Sequence, residues 1–287
     1  MGTPDGPLIQ GVRRSSELYD IPVNELAKSA GPFKLPYRYD VLFEPGAGFV
    51  QPEKAILCHA GLALSSGAEL RTNETVLGWS SKNGIINVQT NSGSYTGKKL
   101  VITAGAWAPG LLPELKETLE ISRQLVAWVK PKRPEAFGQD AFTCWTLEAT
   151  GQEGIFYGFP MLDPTTFGPP KGLKIGYHHP ARFISDPATL DRSALAGEIE
   201  ELKSFMTNFM PEVYDGLYDS KICMYTNTAD SNFIIDTLPE NENVIIATGF
   251  SGHGYKFASL VGEILAELAS TGTSKEPIDF LSMNGIN

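Results

Sequence analysis

The chain has 287 residues, 42% of them hydrophobic and 20% charged, with a formal net charge of −10. That length and apolar content suit one large or two ordinary folded domains and exclude intrinsic disorder. The acidic balance, with no basic run, excludes nucleic acid as the partner, because phosphate binding rests on clustered Lys and Arg.

No apolar stretch approaches the roughly 20 residues that span a bilayer. The opening MGTPDGPLIQGV lacks the basic head and apolar core of a secretory signal, so neither membrane nor export is expected. Three cysteines, Cys58, Cys144 and Cys223, are too few and odd in number for a disulfide framework and suggest a reducing, cytoplasmic setting. His59, His178, His179 and His253 have no Cys or carboxylate at zinc-ligand spacing, and no metal site is expected. Without a secretory signal the Asn73-Glu74-Thr75 sequon reads as chance.

In chain order, helices are expected around Leu8–Leu18 and Val23–Ala27, then a strand at Tyr37–Phe43 and a turn at Glu44–Gly48. Pro52 suits a first helical turn, and Ile56, Ala60, Ala63 and Leu64 share one face up to Gly67. Strands Leu70–Trp79 and Ile85–Thr90 flank Asn83-Gly84, the dipeptide of a tight hairpin. A strand at Lys99–Thr103 ends in the small-residue turn Ala104-Gly105-Ala106-Trp107.

The middle is richer in aromatics, Pro and Gly, with strand-like runs at Leu125–Val129, Ala141–Leu147, Ile155–Phe159 and Leu173–His178. In the last, Leu173, Ile175 and Tyr177 alternate with Lys174, Gly176 and His178, separating a core face from a polar one. Leu195, Ile199, Leu202, Phe205, Met206 and Phe209 repeat at helical spacing. Strands at Lys221–Thr226, Phe233–Asp236 and Val244–Ala247 lead to the turn Gly249–Gly254, and then to a helix with Phe257, Leu260, Val261, Ile264, Leu265 and Leu268 on its apolar stripe.

The outer regions therefore read as one α/β domain interrupted by an antiparallel insertion, an organisation that favours a ligand site. A dinucleotide enzyme should carry Gly-x-Gly-x-x-Gly between a strand and a helix. Gly46-Ala47-Gly48-Phe49-Val50-Gln51 and Gly252-His253-Gly254-Tyr255-Lys256-Phe257 both fail at the third glycine. Taken alone, this argues against a dinucleotide enzyme.

Longer motifs argue the other way. Cys223-Met224-Tyr225-Thr226, Ala229–Asp236 (ADSNFIID) and Gly249–Phe257 (GFSGHGYKF) occur in that order, after Val101–Trp107 (VITAGAW), Tyr157-Gly158-Phe159-Pro160 and Leu173–His178 (LKIGYH). Together they resemble the monomeric sarcosine oxidase family, which includes N-methyltryptophan, pipecolate and fructosyl amino acid oxidases. The resemblance runs from about Tyr37 to the carboxy-terminus. It implies an α/β (α+β) fold in which a Rossmann-like FAD-binding domain is interrupted by an antiparallel-sheet substrate domain. Residues 1–50 are expected to belong mainly to the substrate domain, 51–120 and 219–287 to the FAD domain, and 121–218 to the substrate domain. The family's first βαβ unit, with the fingerprint and a substrate-binding Arg, would precede Met1, and the FAD domain is expected to be incomplete by roughly a quarter of a usual chain.

The resemblance places Cys223 at the covalent flavin attachment site, where sulfur joins the 8α carbon; by itself it would read as a small core residue. Cys58 and Cys144 lack such a context and are expected to be structural. Lys256, in the first turn of the last helix, matches a residue that binds the substrate carboxylate, helped by the positive helix end. Glycines 249, 252 and 254 would let the backbone approach the ring, and His253 lies near the flavin by resemblance. Lys174 resembles the lysine near flavin N5 that promotes reaction with dioxygen, a fixed charge stabilising superoxide. His178, about 13 Å along the same strand face, matches a substrate-side residue. Tyr157 and Tyr225 look like aromatics around the substrate amine, and Val76, Gly105 and Trp107 match flavin-contacting segments. Read without the family, these are sheet-surface, core and turn residues. Thr146 falls where related oxidases vary, which leaves substrate choice open.

The function implied is oxidation of the C–N bond of a small secondary amino acid, sarcosine or another N-methyl or cyclic one, with dioxygen reduced to hydrogen peroxide. A monomer is expected. The competing expectations are a non-catalytic chain without flavin, or a subunit whose nucleotide-binding half comes from another chain.

Overall fold

A computed structural model describes residues 1–27, 31–179 and 182–283. Helix α1 (Pro7–Tyr19) has proline in its first turn and ends at Asp20, in the left-handed conformation with φ 52°. The helix expected at Val23–Ala27 is instead β1 (Asn24–Glu25), paired antiparallel with β2 (Leu42–Phe43). Five residues cannot recover the cost of helix nucleation, whereas an extended segment finds a partner at once. The expected strand at Tyr37–Phe43 is regular only in β2; Tyr39, fully buried, is held by its hydroxyl at Thr150 rather than by a ladder.

Helix α2 (Pro52–Ser65) starts on its proline as expected, yet none of its residues is buried and Ile56, Leu57, Leu62 and Leu64 are exposed. The hairpin of β3 (Val76–Lys82) and β4 (Ile85–Thr90) closes on Asn83 and Gly84, with φ 53° and 73°, and β5 (Ser94–Gly97) extends it. Then come β6 (Leu100–Ile102), α3 (Ala108–Leu111), β7 (Glu120–Pro131), β8 (Trp145–Leu147), β9 (Ile155–Phe159), α4 (Pro164–Phe167), β10 (Leu173–His178), β11 (Phe183–Ile184) and α5 (Ala196–Phe209). The chain finishes with β12 (Tyr214–Asn227), β13 (Ile234–Leu238), β14 (Asn241–Thr248) and α6 (Ala258–Thr271), which ends at Gly272 with φ 79°.

The chain divides into two compact units. The first comprises Met1–Phe49, Gln124–Ala181 and Asp191–Cys223; the second comprises Val50–Arg123, Arg182–Leu190 and Met224–Asn287. In the first unit β7, β10, β9 and β8 lie side by side, all antiparallel. One face of this sheet, with Leu173, Ile175, Phe156 and Trp145, is covered by α5, whose Phe205 ring stacks 3.9 Å from Phe156 and 5.8 Å from Trp145.

In the second unit β14 lies between β13 and β6, antiparallel to the first and parallel to the second. Both faces of β14 are buried, so it reads as a continuous apolar run. Val244 and Ile246 pack with Ile102, Leu112 and Ile234; Ile245 and Ala247 pack under Val261, Ile264, Leu265 and Leu268 of α6. Among the described residues, no helix is long and apolar enough to cross a membrane, and no cluster of His, Cys, Asp and Glu could hold a metal ion.

Candidate active site

In an antiparallel ladder, residues opposite one another point to the same side. Lys174 is opposite Trp128 on β7 and Phe159 on β9; Gly176 is opposite Tyr157, and Tyr157 is opposite Thr146. Lys174, His178, Tyr157, Thr146, Trp128 and Phe159 thus share the sheet face that α5 does not cover. That face is half-buried, while the α5 face is core. Gly176 is required where it stands, because a Cβ there would lie 2.5 Å from the Tyr157 ring. The first unit therefore groups three of the expected residues, Lys174, His178 and Tyr157, on one surface.

The Lys174 ammonium sits 5.4 Å from the centroids of both the Trp128 and the Phe159 rings. Cys223, on β12, is exposed, yet enough protein surrounds the sulfur for desolvation to push its thiol above the ordinary value. The positive charges of Lys174 and Arg192 pull in the opposite direction. Arg192 is fixed beside the thiol by an Nη1 hydrogen bond of 3.1 Å to the Ile222 carbonyl. Nothing around Asp191-Arg192-Ser193 in the sequence marks this arginine; its role follows from where the backbone returns to β12. Removing its charge in Arg192→Gln is expected to raise the thiol further. Iodoacetamide should then alkylate Cys223 about threefold more slowly near pH 8.5, because only the thiolate reacts. Peptide mapping of the flavin-free chain measures this, and an unchanged rate would show that the guanidinium does not act on the sulfur.

In the second unit, the parallel register of β6 and β14 pairs Ile102 with Ile246, so the turns that follow leave the sheet side by side. Gly105 (φ 53°) and Gly249 (φ 65°) are the left-handed residues that open them. Ligands of α/β sheets bind at such carboxyl ends. A Cβ on Gly105 would meet open space. Trp107, which follows in a short 3-10 turn, is half exposed, and so is Val76 at the start of β3. Thr248, at the end of β14, is fully buried and its hydroxyl has no partner.

The three glycines of the last turn each have a contact within the protein. A Cβ would come within 2.6 Å of Thr228 at Gly249, 2.3 Å of the Tyr225 ring at Gly252, and 2.4 Å of Phe250 at Gly254. Tyr225 thus rests on Gly252. Along β12, Tyr225 lies two residues from Cys223, and so projects from the same face of that strand. The His253 ring packs 5.0 Å from Phe233, and its Nδ1 lies 3.0 Å from the Ser251 carbonyl. A carbonyl can only accept, so Nδ1 carries the proton. Lys256 sits exposed in the 3-10 turn that runs into α6, its ammonium 5.4 Å from the Phe257 ring centroid. The 230 Å³ cavity beside Thr3, Glu148 and Gln152 holds none of these residues.

Residues 11–268 match the family described as FAD dependent oxidoreductase. The chain belongs to that family. It is 37% identical over 255 residues to the monomeric sarcosine oxidase of Bacillus sp. (strain NS-129), spanning 88% of this chain and 64% of that relative. It is 32% identical over 280 residues to the N-methyl-L-tryptophan oxidase of Salmonella enteritidis PT4, spanning 96% of this chain and 72% of the relative. The chain thus spans a little under two thirds of the length of the first of these relatives. The fold is shared with NikD, described as an unusual amino acid oxidase, at a TM-score of 0.80 and 19% identity over 96% of this chain and 72% of that one. The residues present fit FAD: left-handed glycine turns follow two parallel strands at their carboxyl ends, the Gly105 turn is open-sided, and the buried Thr248 hydroxyl beside Gly249 has no partner.

Proposed function

We propose that the chain serves oxidation of the C–N bond of a small secondary amino acid, N-methyl or cyclic, with dioxygen as electron acceptor and hydrogen peroxide as product. FAD would be held at the Gly105 and Gly249–Gly254 turns and bonded through Cys223. The observation that carries this reading is the Tyr225 ring resting on Gly252, in the turn that leads to Lys256. Attachment would break one S–H bond of Cys223 and one C–H bond of the 8α methyl and form one S–C bond, the two protons and two electrons passing to dioxygen to give hydrogen peroxide.

The flavin, when bound, supplies the acceptor for a hydride from the carbon beside the amine nitrogen. The chain's own groups do the rest. Lys256, at the positive end of α6, holds the substrate carboxylate and so fixes which carbon is presented, a positioning effect that supplies much of the rate. Tyr157 and Tyr225 offer ring faces to the amine as it gains iminium character. His178 lies on the same sheet face as Tyr157 and serves the substrate side. Lys174 places a fixed positive charge where dioxygen becomes anionic.

A second reading is favoured by α2, which buries none of its residues although Ile56, Leu57, Leu62 and Leu64 lie along it, since an exposed apolar surface of this kind is normally covered. In that reading a further polypeptide segment covers α2 and brings the dinucleotide fingerprint, and the chain alone holds no flavin. Colour separates the two. The chain loaded with FAD and precipitated with acid is expected to give a yellow pellet. In Cys223→Ser the colour should move to the supernatant, because a hydroxyl cannot replace the thiolate. A colourless pellet from a natively folded wild-type chain would favour the second reading.

A further inference from the structure

A lysine that acts as a fixed charge must itself be fixed, and a four-carbon stem with a strongly hydrated ammonium does not hold still unaided. Among the described residues Lys174 makes no ion pair with a carboxylate. Its neighbours are the two rings that the register sets on either side of it, Trp128 on one adjacent strand and Phe159 on the other. Both centroids lie 5.4 Å from Nζ, inside the range of cation–π attraction. The rings are themselves held. Phe159 meets the edges of Phe49 and Tyr157 at 6.0 and 6.1 Å. Trp128 lies against Gly172, where a Cβ would come within 3.0 Å of the Trp128 Cβ.

We propose that Trp128 and Phe159 are positioning residues that clamp Lys174 by their ring faces and leave its charge uncancelled. This rests on the reading of Lys174 as the group that promotes reaction with dioxygen. The physical distinction is between two ways of holding an ammonium. A carboxylate would fix it but oppose its field at the reacting oxygen. Two quadrupoles fix it while the full positive charge remains to act on an anion.

The test uses Trp128→Leu with Phe159→Leu, and Trp128→Phe, which keeps a ring, as the conservative variant. In the flavin-free chain, reductive methylation of Lys174 is followed by mass spectrometry relative to the exposed Lys82. The double variant, with wild-type circular dichroism, is expected to label Lys174 about tenfold faster, and Trp128→Phe to remain near wild type. In the FAD-loaded protein the same double variant should slow the reaction with dioxygen, while the rate of anaerobic bleaching by substrate changes little. Unchanged labelling of Lys174 in the folded double variant overturns the clamp. Faster labelling with an unchanged dioxygen reaction supports the clamp and overturns the oxygen role of Lys174 on which its purpose rests.

Discussion

Gly252→Ala is expected to destabilise the second unit by about 2–4 kcal/mol. The residue sits at φ 75°, a conformation that costs a residue with a Cβ about 1–2 kcal/mol. The new methyl would also stand 2.3–2.5 Å from three atoms of the Tyr225 ring. Neither side can easily give way. The turn is tied to β12 by the Ser251 N–H to the Thr226 carbonyl at 2.9 Å, and by the Thr228 N–H to Ser251 Oγ at 3.3 Å. Overpacking of this kind costs about 1–3 kcal/mol. Urea denaturation followed by circular dichroism measures the loss. Gly262→Ala serves as the control: it lies mid-helix in α6 with nothing within 4 Å of its Cβ position, and should stabilise by about 0.5–1 kcal/mol. If the two variants unfold alike, Tyr225 does not pack on the turn that leads to Lys256.

Lys174→Met is expected to slow the reaction with dioxygen by about a hundredfold or more, the usual loss when one preorganised charge-stabilising group is removed. Methionine keeps the length and apolar stem, so the sheet face and its rings should remain as they are. Stopped-flow mixing of substrate-bleached protein with oxygenated buffer reads the effect, and the anaerobic bleaching rate serves as the reference. An equal loss in both rates would mark Lys174 as a general structural support and not as the group that meets oxygen.

Much of this was legible in the residues. Leu173–His178 and Ile155–Phe159 form strands with the boundaries that alternation predicts, and Asn83-Gly84 turns a hairpin, because each depends only on neighbours in the chain. The stripe on α6 and the continuous apolar run of β14 are equally local signals. Cys223, Lys174 and Lys256 stand out only through the ordered motifs that contain them, since a thiol or a lone ammonium has no periodicity of its own.

Tertiary structure decided the rest. Alternation separates the Leu173 and Ile175 core face from the face of Lys174 and His178, but not what covers the core face; the stacking of Phe205 on Phe156 shows that α5 does. Pairing register, made between segments far apart in the chain, sets Trp128 and Phe159 beside Lys174, and no local pattern encodes it. The same holds for Arg192, brought to Cys223 by the return of the backbone. Helix α2 shows the opposite limit: composition and spacing suffice to form a helix, but whether its apolar residues are covered depends on what else is present to cover them. Local chemistry determined which segments are helix and strand. Only the pairing of distant segments determined which charges stand beside the thiol and which rings hold the lysine.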